Sequence, residues 1–91
     1  MTMLDETAAA AVVSIAKAMD EAGLAPNKSG NVSCRASNGM LITPSGRPYE
    51  TLEAADIVPV DLDGRVLGGA LRPSSEMPLH AAIYRTRPDV A

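Results

Sequence analysis

The 91 residues predict an α/β fold in which helices pack on an antiparallel sheet. Three observations carry that prediction. Apolar residues recur at steps of three and four only near the start, in Leu4, Ala8, Ala11, Val12, Ile15, Met19 and Ala22. Two tight-turn dipeptides, Asn38-Gly39 and Asp63-Gly64, each join short apolar runs. A second helix pattern begins only after Pro73-Ser74-Ser75-Glu76. The resulting order of helix, hairpin, hairpin, helix differs from alternating strand–helix units and so favours antiparallel pairing.

Each element has its own signals. The first helix is predicted over about Met3 to Ala22. Alanine is the best helix former, Asp5 and Glu6 suit a helix N-terminus, and Gly23 is placed to stop it. All seven prolines and all seven glycines fall at or beyond Gly23, so the later elements are short. Asn31 to Arg35 alternates like a strand, and Met40 to Ile42 returns from the Asn38-Gly39 turn. Thr43-Pro44-Ser45-Gly46 is a turn, and Leu52 to Asp56 suits one helical turn. Ile57 to Leu62 reads as a strand that Pro59 pushes toward an edge or bulge. It turns at Asp63-Gly64 and returns through Arg65-Val66-Leu67. The second helix presents Met77, Leu79, Ala82, Ile83 and Val90 as its apolar positions, and Pro88 should end it at about Arg87.

Composition narrows the function classes. Eight basic against eleven acidic residues give a net charge of −3, with no basic stripe to neutralise phosphates of a nucleic acid. Aromatics are 2% of the chain, Tyr49 and Tyr84, which leaves no base-stacking surface. The longest apolar run, Ala8 to Val13, is far short of a membrane span of about 20 residues. One cysteine, Cys34, forms no intramolecular disulfide, and acids stand where a signal peptide carries bases. A cytoplasmic setting is therefore expected, with no nucleic acid and no membrane as partner. Fifteen residues are Ala, which bury little area, and a chain of this size hides only about 60–65% of its unfolded surface. The core is expected to be thin.

Three segments are dense in small polar residues: Lys28-Ser29-Gly30-Asn31-Val32-Ser33, Thr43-Pro44-Ser45-Gly46 and Pro73-Ser74-Ser75-Glu76. Hydroxyls, a side-chain amide and unpaired N–H groups of this kind cradle anions, phosphate above all. The third also precedes a helix, whose N-terminus attracts negative charge. Taken singly, each segment reads first as an ordinary turn, and Ser74, Ser75 and Glu76 read first as a helix cap or capping box. His80 and Cys34 lie 46 positions apart and fall short of the three or four ligands that zinc needs. His80 reads as a hydrogen-bonded structural histidine and Cys34 as a small buried apolar residue. Arg35, Arg47, Arg72, Arg85 and Arg87 read mostly as solvated, with Arg47 and Arg72 flanking candidate phosphate loops.

Taken together the segments resemble one family. Gly30-Asn31-Val32-Ser33, Leu41-Ile42-Thr43-Pro44-Ser45-Gly46-x-x-Tyr49, Leu52-x-x-x-Asp56-Ile57-Val58, Asp61-x-Asp63-Gly64 and Arg72-Pro73-Ser74-Ser75-Glu76-x-x-x-His80-x-x-Ile83-Tyr84-x-x-Arg87-Pro88-Asp89-Val90 run in order at close spacing. This set resembles the N-terminal part of the class II aldolase/adducin family, from the first helix to Ala91. The resemblance implies a three-layer α/β/α fold with a central, mainly antiparallel sheet, of which residues 1–91 form the N-terminal half as a single partial domain. It implies a zinc-dependent lyase that cleaves a carbon–carbon bond in a ketose 1-phosphate, such as L-fuculose 1-phosphate, through an enediolate. Gly30, Asn31, Ser45, Gly46, Ser74 and Ser75 match the family's phosphate-binding residues, and Glu76 matches its acid/base, which can also sit against the metal. Zinc polarises the substrate oxygens, and a carboxylate within reach moves the proton.

The family's His-x-His pair and its third histidine ligand would lie beyond Ala91, and His80 matches a histidine that is not a ligand. Without those ligands the 91 residues alone are expected to be inactive and to hold no zinc tightly; the family also implies a homotetramer. Glu76, where pentulose-phosphate 4-epimerases of the family tend to carry Asp, favours aldol cleavage, with dehydratase and decarboxylase relatives still open. A reading from another class is a non-catalytic, adducin-like binding or assembly module, or a truncated remnant. Half of such a sheet would leave a long exposed edge, so the isolated chain is expected to be marginal or self-associating. Thermal unfolding checks this: a monomeric, cooperative transition well above about 60 °C would overturn the expectation, since mesophile domains melt at about 45–65 °C.

Overall fold

The computed structural model describes residues 3–23, 31–36, 39–46, 48–69 and 71–89, with the side chains of 3–5 left aside. The elements in order are α1 (Met3–Glu21), β1 (Ser33–Ala36), β2 (Gly39–Ile42), β3 (Val58–Val60) and α2 (Met77–Thr86). Two 3-10 turns, Tyr49–Thr51 and Ala54–Asp56, bridge β2 to β3; the second falls within the helical turn expected over Leu52 to Asp56, and the first was not expected. The second is fixed by reciprocal bonding between Glu53 and Asp56, with the Glu53 N–H donating to Asp56 Oδ2 at 3.0 Å.

The sheet is antiparallel throughout, in the order β1-β2-β3. Ser33 stands opposite Ile42 and Ala36 opposite Gly39; Met40 stands opposite Val60 and Ile42 opposite Val58. β2 is buried at all four positions, as a central strand covered on both faces must be. The period of two then sorts its side chains. Leu41 packs with Ala9, Val12 and Ala16 of α1 and with Val32, Tyr49, Leu52 and Ile57. Met40 and Ile42 pack with Val58, Val60 and with Ala81 and Tyr84 of α2. One helix on each face of an antiparallel sheet makes three layers, as the resemblance implies.

Three sequence expectations change in detail. First, α1 is rotated from the predicted face. Ala9, Val12 and Ala16 are buried, flanked by Ala8, Val13 and Met19, whereas Ala11 and Ala22 are exposed and Ile15 is 53% exposed. The run Ala8 to Val13 is apolar all round, so periodicity fits two faces. The sheet receives the one whose alanines let the helix lie close. Second, α2 buries Ala81 and Tyr84, with Met77 packed beside them, and leaves Leu79 and Ile83 exposed. It ends at Thr86, just before Arg87-Pro88, as predicted. Leu4 as a side chain, Asn38 and Val90 lie outside the described residues.

Third, the second hairpin shrinks to a single bridge, Val60 to Val66, and the strand before it to Val58–Val60. The turn itself is well made. The Asp61 carboxylate accepts the N–H groups of Asp63 and Arg65, both at 2.9 Å, and Asp61 N–H donates to Arg65 O at 2.9 Å. Beyond Leu67, whose N–H donates to Pro59 O at 2.8 Å, Gly68 and Gly69 follow. Val66 and Leu67 are about half exposed. A strand with no face to bury gains little from continuing.

The turn into β2 depends on one glycine. A Cβ on Gly39 would lie 2.3 Å from Val60 O and 2.6 Å from Asp61 Cα, and its φ is +151°. Gly39→Ala should cost about 2 kcal/mol or more, while Gly46→Ala, with φ +72° but open space around it, should cost about 1 kcal/mol. Urea unfolding of the two variants checks the order; equal losses would contradict the close approach.

Candidate active site

The described residues of the three polar segments, 31–33, 43–46 and 73–76, meet at one end of the sheet, and Thr43 joins them. Thr43 is the buried polar residue of the described core, 1% exposed. Its N–H donates to Val32 O at 3.0 Å, and its Oγ1 accepts the Val32 N–H at 3.2 Å. Its carbonyl accepts the Ser74 N–H at 2.9 Å. One residue further on, the Ser45 N–H donates to Arg72 O at 2.9 Å, and Pro44 bridges to Pro73. The backbone before β1, after β2 and before α2 is thereby fastened into one unit. Thr43 lies within the family motif but was not among the predicted site residues. A threonine between an apolar strand and a proline was the available signal.

The predicted site residues distribute as follows. Asn31 is half-buried, directly before Val32. Ser45 and Gly46 are exposed, with Gly46 in the left-handed region. Ser74 is half-buried and Ser75 exposed. Glu76 is exposed at the N-cap of α2. Its carboxylate makes no cap hydrogen bond, so the capping-box alternative is not what forms. The hydroxyl of Ser74 takes that role locally and accepts the Glu76 N–H at 3.2 Å. Gly30 and Arg47 lie outside the described residues.

His80 sits one turn into α2 and is engaged at both ring nitrogens. Nδ1 is 2.5 Å from Ser33 Oγ, and Nε2 is bonded to Asn31 Oδ1. Ser33 Oγ also lies 2.8 Å from the hydroxyl of Tyr84, a buried residue. Burial holds the His80 imidazole below its ordinary pKa near 6.5, against the opposing pull of the Glu76 carboxylate. The structural histidine read from the sequence is therefore tied to a candidate phosphate residue. No group of three or more His, Cys, Asp and Glu able to hold a metal occurs among the described residues.

Cys34 is half-buried and packs toward α1, with Sγ 4.0 Å from Ala8 O. Arg35 departs from the solvated role expected of it. Its guanidinium lies 5.1 Å from the Tyr84 ring centroid and donates to the carbonyls of Tyr84 at 2.9 Å and Arg87 at 3.0 Å. It satisfies carbonyls at the end of α2 and stacks on the ring that feeds the His80 cluster. Arg85 likewise donates to Leu62 O. No helix of the described residues is long and apolar enough to cross a membrane.

A family profile described as Class II Aldolase and Adducin N-terminal domain matches residues 10–91. The chain belongs to this family. The L-fuculose phosphate aldolase of Escherichia coli K12 is 49% identical over 71 residues, covering 78% of this chain and 33% of that protein. A methylthioribulose-1-phosphate dehydratase of Sorangium cellulosum is 44% identical over 79 residues, covering 85% of this chain and 37% of that protein. A solved structure of L-fuculose 1-phosphate aldolase superposes with a TM-score of 0.83 at 32% identity, covering 89% of this chain and 39% of that one. The chain thus spans about a third of the length of the curated relatives it matches.

The His80 environment predicts a pH dependence of stability. A base whose pKa is lowered by folding binds fewer protons folded than unfolded, so stability rises with pH through that window and falls as pH drops below about 6.5. The urea midpoint of the chain should therefore be lower at about pH 5.5 than at about pH 7.5. His80→Gln should flatten that difference. A wild-type midpoint that does not change would contradict it.

Proposed function

We propose that residues 1–91 are the N-terminal part of a single class II aldolase domain. In that domain they supply the phosphate cradle and the acid/base of a metal-dependent lyase acting on a sugar phosphate. The observation that carries the reading is the fastening of three donor-rich loops through Thr43, with Glu76 next to the serine pair and its carboxylate unused by the helix cap. In this reading Gly30, Asn31, Ser45, Gly46, Ser74 and Ser75 line the phosphate; the N–H groups of Ser45 and Ser74 are committed to Arg72 O and Thr43 O, so those two residues donate through their hydroxyls. The N-terminus of α2 adds its dipole. Glu76 moves a proton on and off the reacting carbon. Zinc, implied by the family resemblance, would supply electrophilic stabilisation of developing negative charge; histidines other than His80 would hold it, and Glu76 can also sit against it. A homotetramer in the cytoplasm belongs to the same proposal.

The relatives named above share a phosphorylated sugar and differ in reaction, aldol cleavage in one and dehydration in the other. Glu76 leads us to cleavage, and the dehydratase name makes water loss the specific alternative.

Activity is best tested in a chimera, with this chain replacing the matching segment of the Escherichia coli L-fuculose phosphate aldolase. It should release a triose phosphate from L-fuculose 1-phosphate in a zinc-dependent manner. Glu76→Gln should lower kcat by about 10²–10⁴-fold with KM little changed. Ser74→Ala should raise KM about tenfold. Near-normal turnover of the Gln variant would overturn the role of Glu76. Water loss from methylthioribulose 1-phosphate without triose release would favour the dehydratase.

A further inference from the structure

We propose that His80 is a positioning residue for the anion site, holding the Asn31 amide so that its NH₂ group faces the phosphate. This deepens the proposed function and rests on Asn31 belonging to the phosphate cradle.

The direction follows from what each atom can do. An amide oxygen only accepts, so the bond between His80 Nε2 and Asn31 Oδ1 puts the proton on Nε2. In the neutral ring Nδ1 is then an acceptor, and the Ser33 hydroxyl, 2.5 Å away, donates to it. Having donated, Ser33 Oγ accepts from the Tyr84 hydroxyl at 2.8 Å. Proton donation thus runs one way, from Tyr84 through Ser33 and His80 to Asn31. With Oδ1 occupied, the amide can turn only Nδ2 toward an incoming ligand. The opposite rotamer would present an oxygen to an anion.

The supports of the relay are themselves fixed. Tyr84 is buried, and Arg35 lies over its ring. Ser33 is held in β1 opposite Ile42. Neighbouring Val32 is bonded twice to Thr43, the residue that also binds Ser74. The side chain that orients Asn31 and the backbone that joins its loop to the serine loop therefore converge on adjacent residues. Loss of the His80 bond should free the amide to rotate without removing any donor.

A double-mutant cycle tests this, because a group acting through Asn31 loses its effect once Asn31 is gone. In the chimera, His80→Leu should raise KM for L-fuculose 1-phosphate about tenfold while kcat changes less than twofold, and His80→Gln, which keeps a donor near the Nε2 position, should recover most of that loss. In the Asn31→Ala background, His80→Leu should raise KM no further. On the 91-residue chain, titration with inorganic phosphate followed by NMR should place affinities in the same order. A His80→Leu effect that persists undiminished without Asn31, or that falls on kcat alone, would overturn the relay. If Asn31→Ala and Ser74→Ala both leave KM unchanged, the phosphate reading itself falls. If they raise it and His80→Leu does not, only the relay falls.

Discussion

The Thr43 hydroxyl and backbone hold this end of the molecule together. A buried hydroxyl must find a partner or carry a penalty of roughly 1–3 kcal/mol, and Thr43 meets that demand by accepting from Val32. The same residue uses its own N–H and carbonyl on Val32 and Ser74. Three loops distant in sequence thereby share one register. A substitution that removes this hydroxyl would leave the Val32 N–H buried without that partner. Valine, close in shape, would keep the two backbone bonds and lose the one from the Val32 N–H, because that interaction is polar rather than volumetric.

That register is transmitted by β2. Its four buried residues divide between the layers, with Leu41 to α1 and with Met40 and Ile42 to α2. β2 ends at Ile42 and passes directly into Thr43, so the core that fixes the strand also fixes the first residue of the loop. The same alternation places Ser33 and Arg35 of β1 toward α2 and Cys34 and Ala36 toward α1. A hydroxyl in β1 can therefore reach a histidine in α2. The thin, alanine-rich core matters here too. Ala9 and Ala16 allow α1 to lie close to the sheet, and Ala81 allows α2 to do so.

Much of this was legible in the sequence, because local signals were strong. The turn glycines, the prolines at helix boundaries and the helix period put both helices, the first hairpin and the antiparallel order where they are observed. The polar segments were legible as candidate cradles from composition, and their joint membership in one family from their order. The misses have a common cause. The face of α1 was ambiguous because alanine is apolar on every side of Ala8 to Ala11, and only the sheet distinguishes the faces. The strand through Leu67 was overextended because period two says nothing about whether a covering layer exists. Cross-chain bonds such as His80 to Asn31, 49 positions apart, have no local signature at all.

The proposed cradle is built from neutral donors, on a chain whose net charge is −3. Such a site differs from a cluster of lysines. A point charge attracts phosphate from any direction, whereas an N–H or O–H does so only along its bond, and weakens steeply when misaligned. Affinity then depends on how firmly each donor is aimed, since a donor free to rotate must be ordered by the ligand at an entropic cost. Backbone N–H groups are aimed by the fold, and here by the Thr43 bonds. A side-chain amide is not, because its two ends differ only in O against NH₂ and the wrong end repels the ligand. Asn31 is thus the donor of the set that most needs a second residue behind it. A neutral histidine, protonated on Nε2 and held by a hydroxyl on Nδ1, meets that need without adding a charge that would compete for the anion.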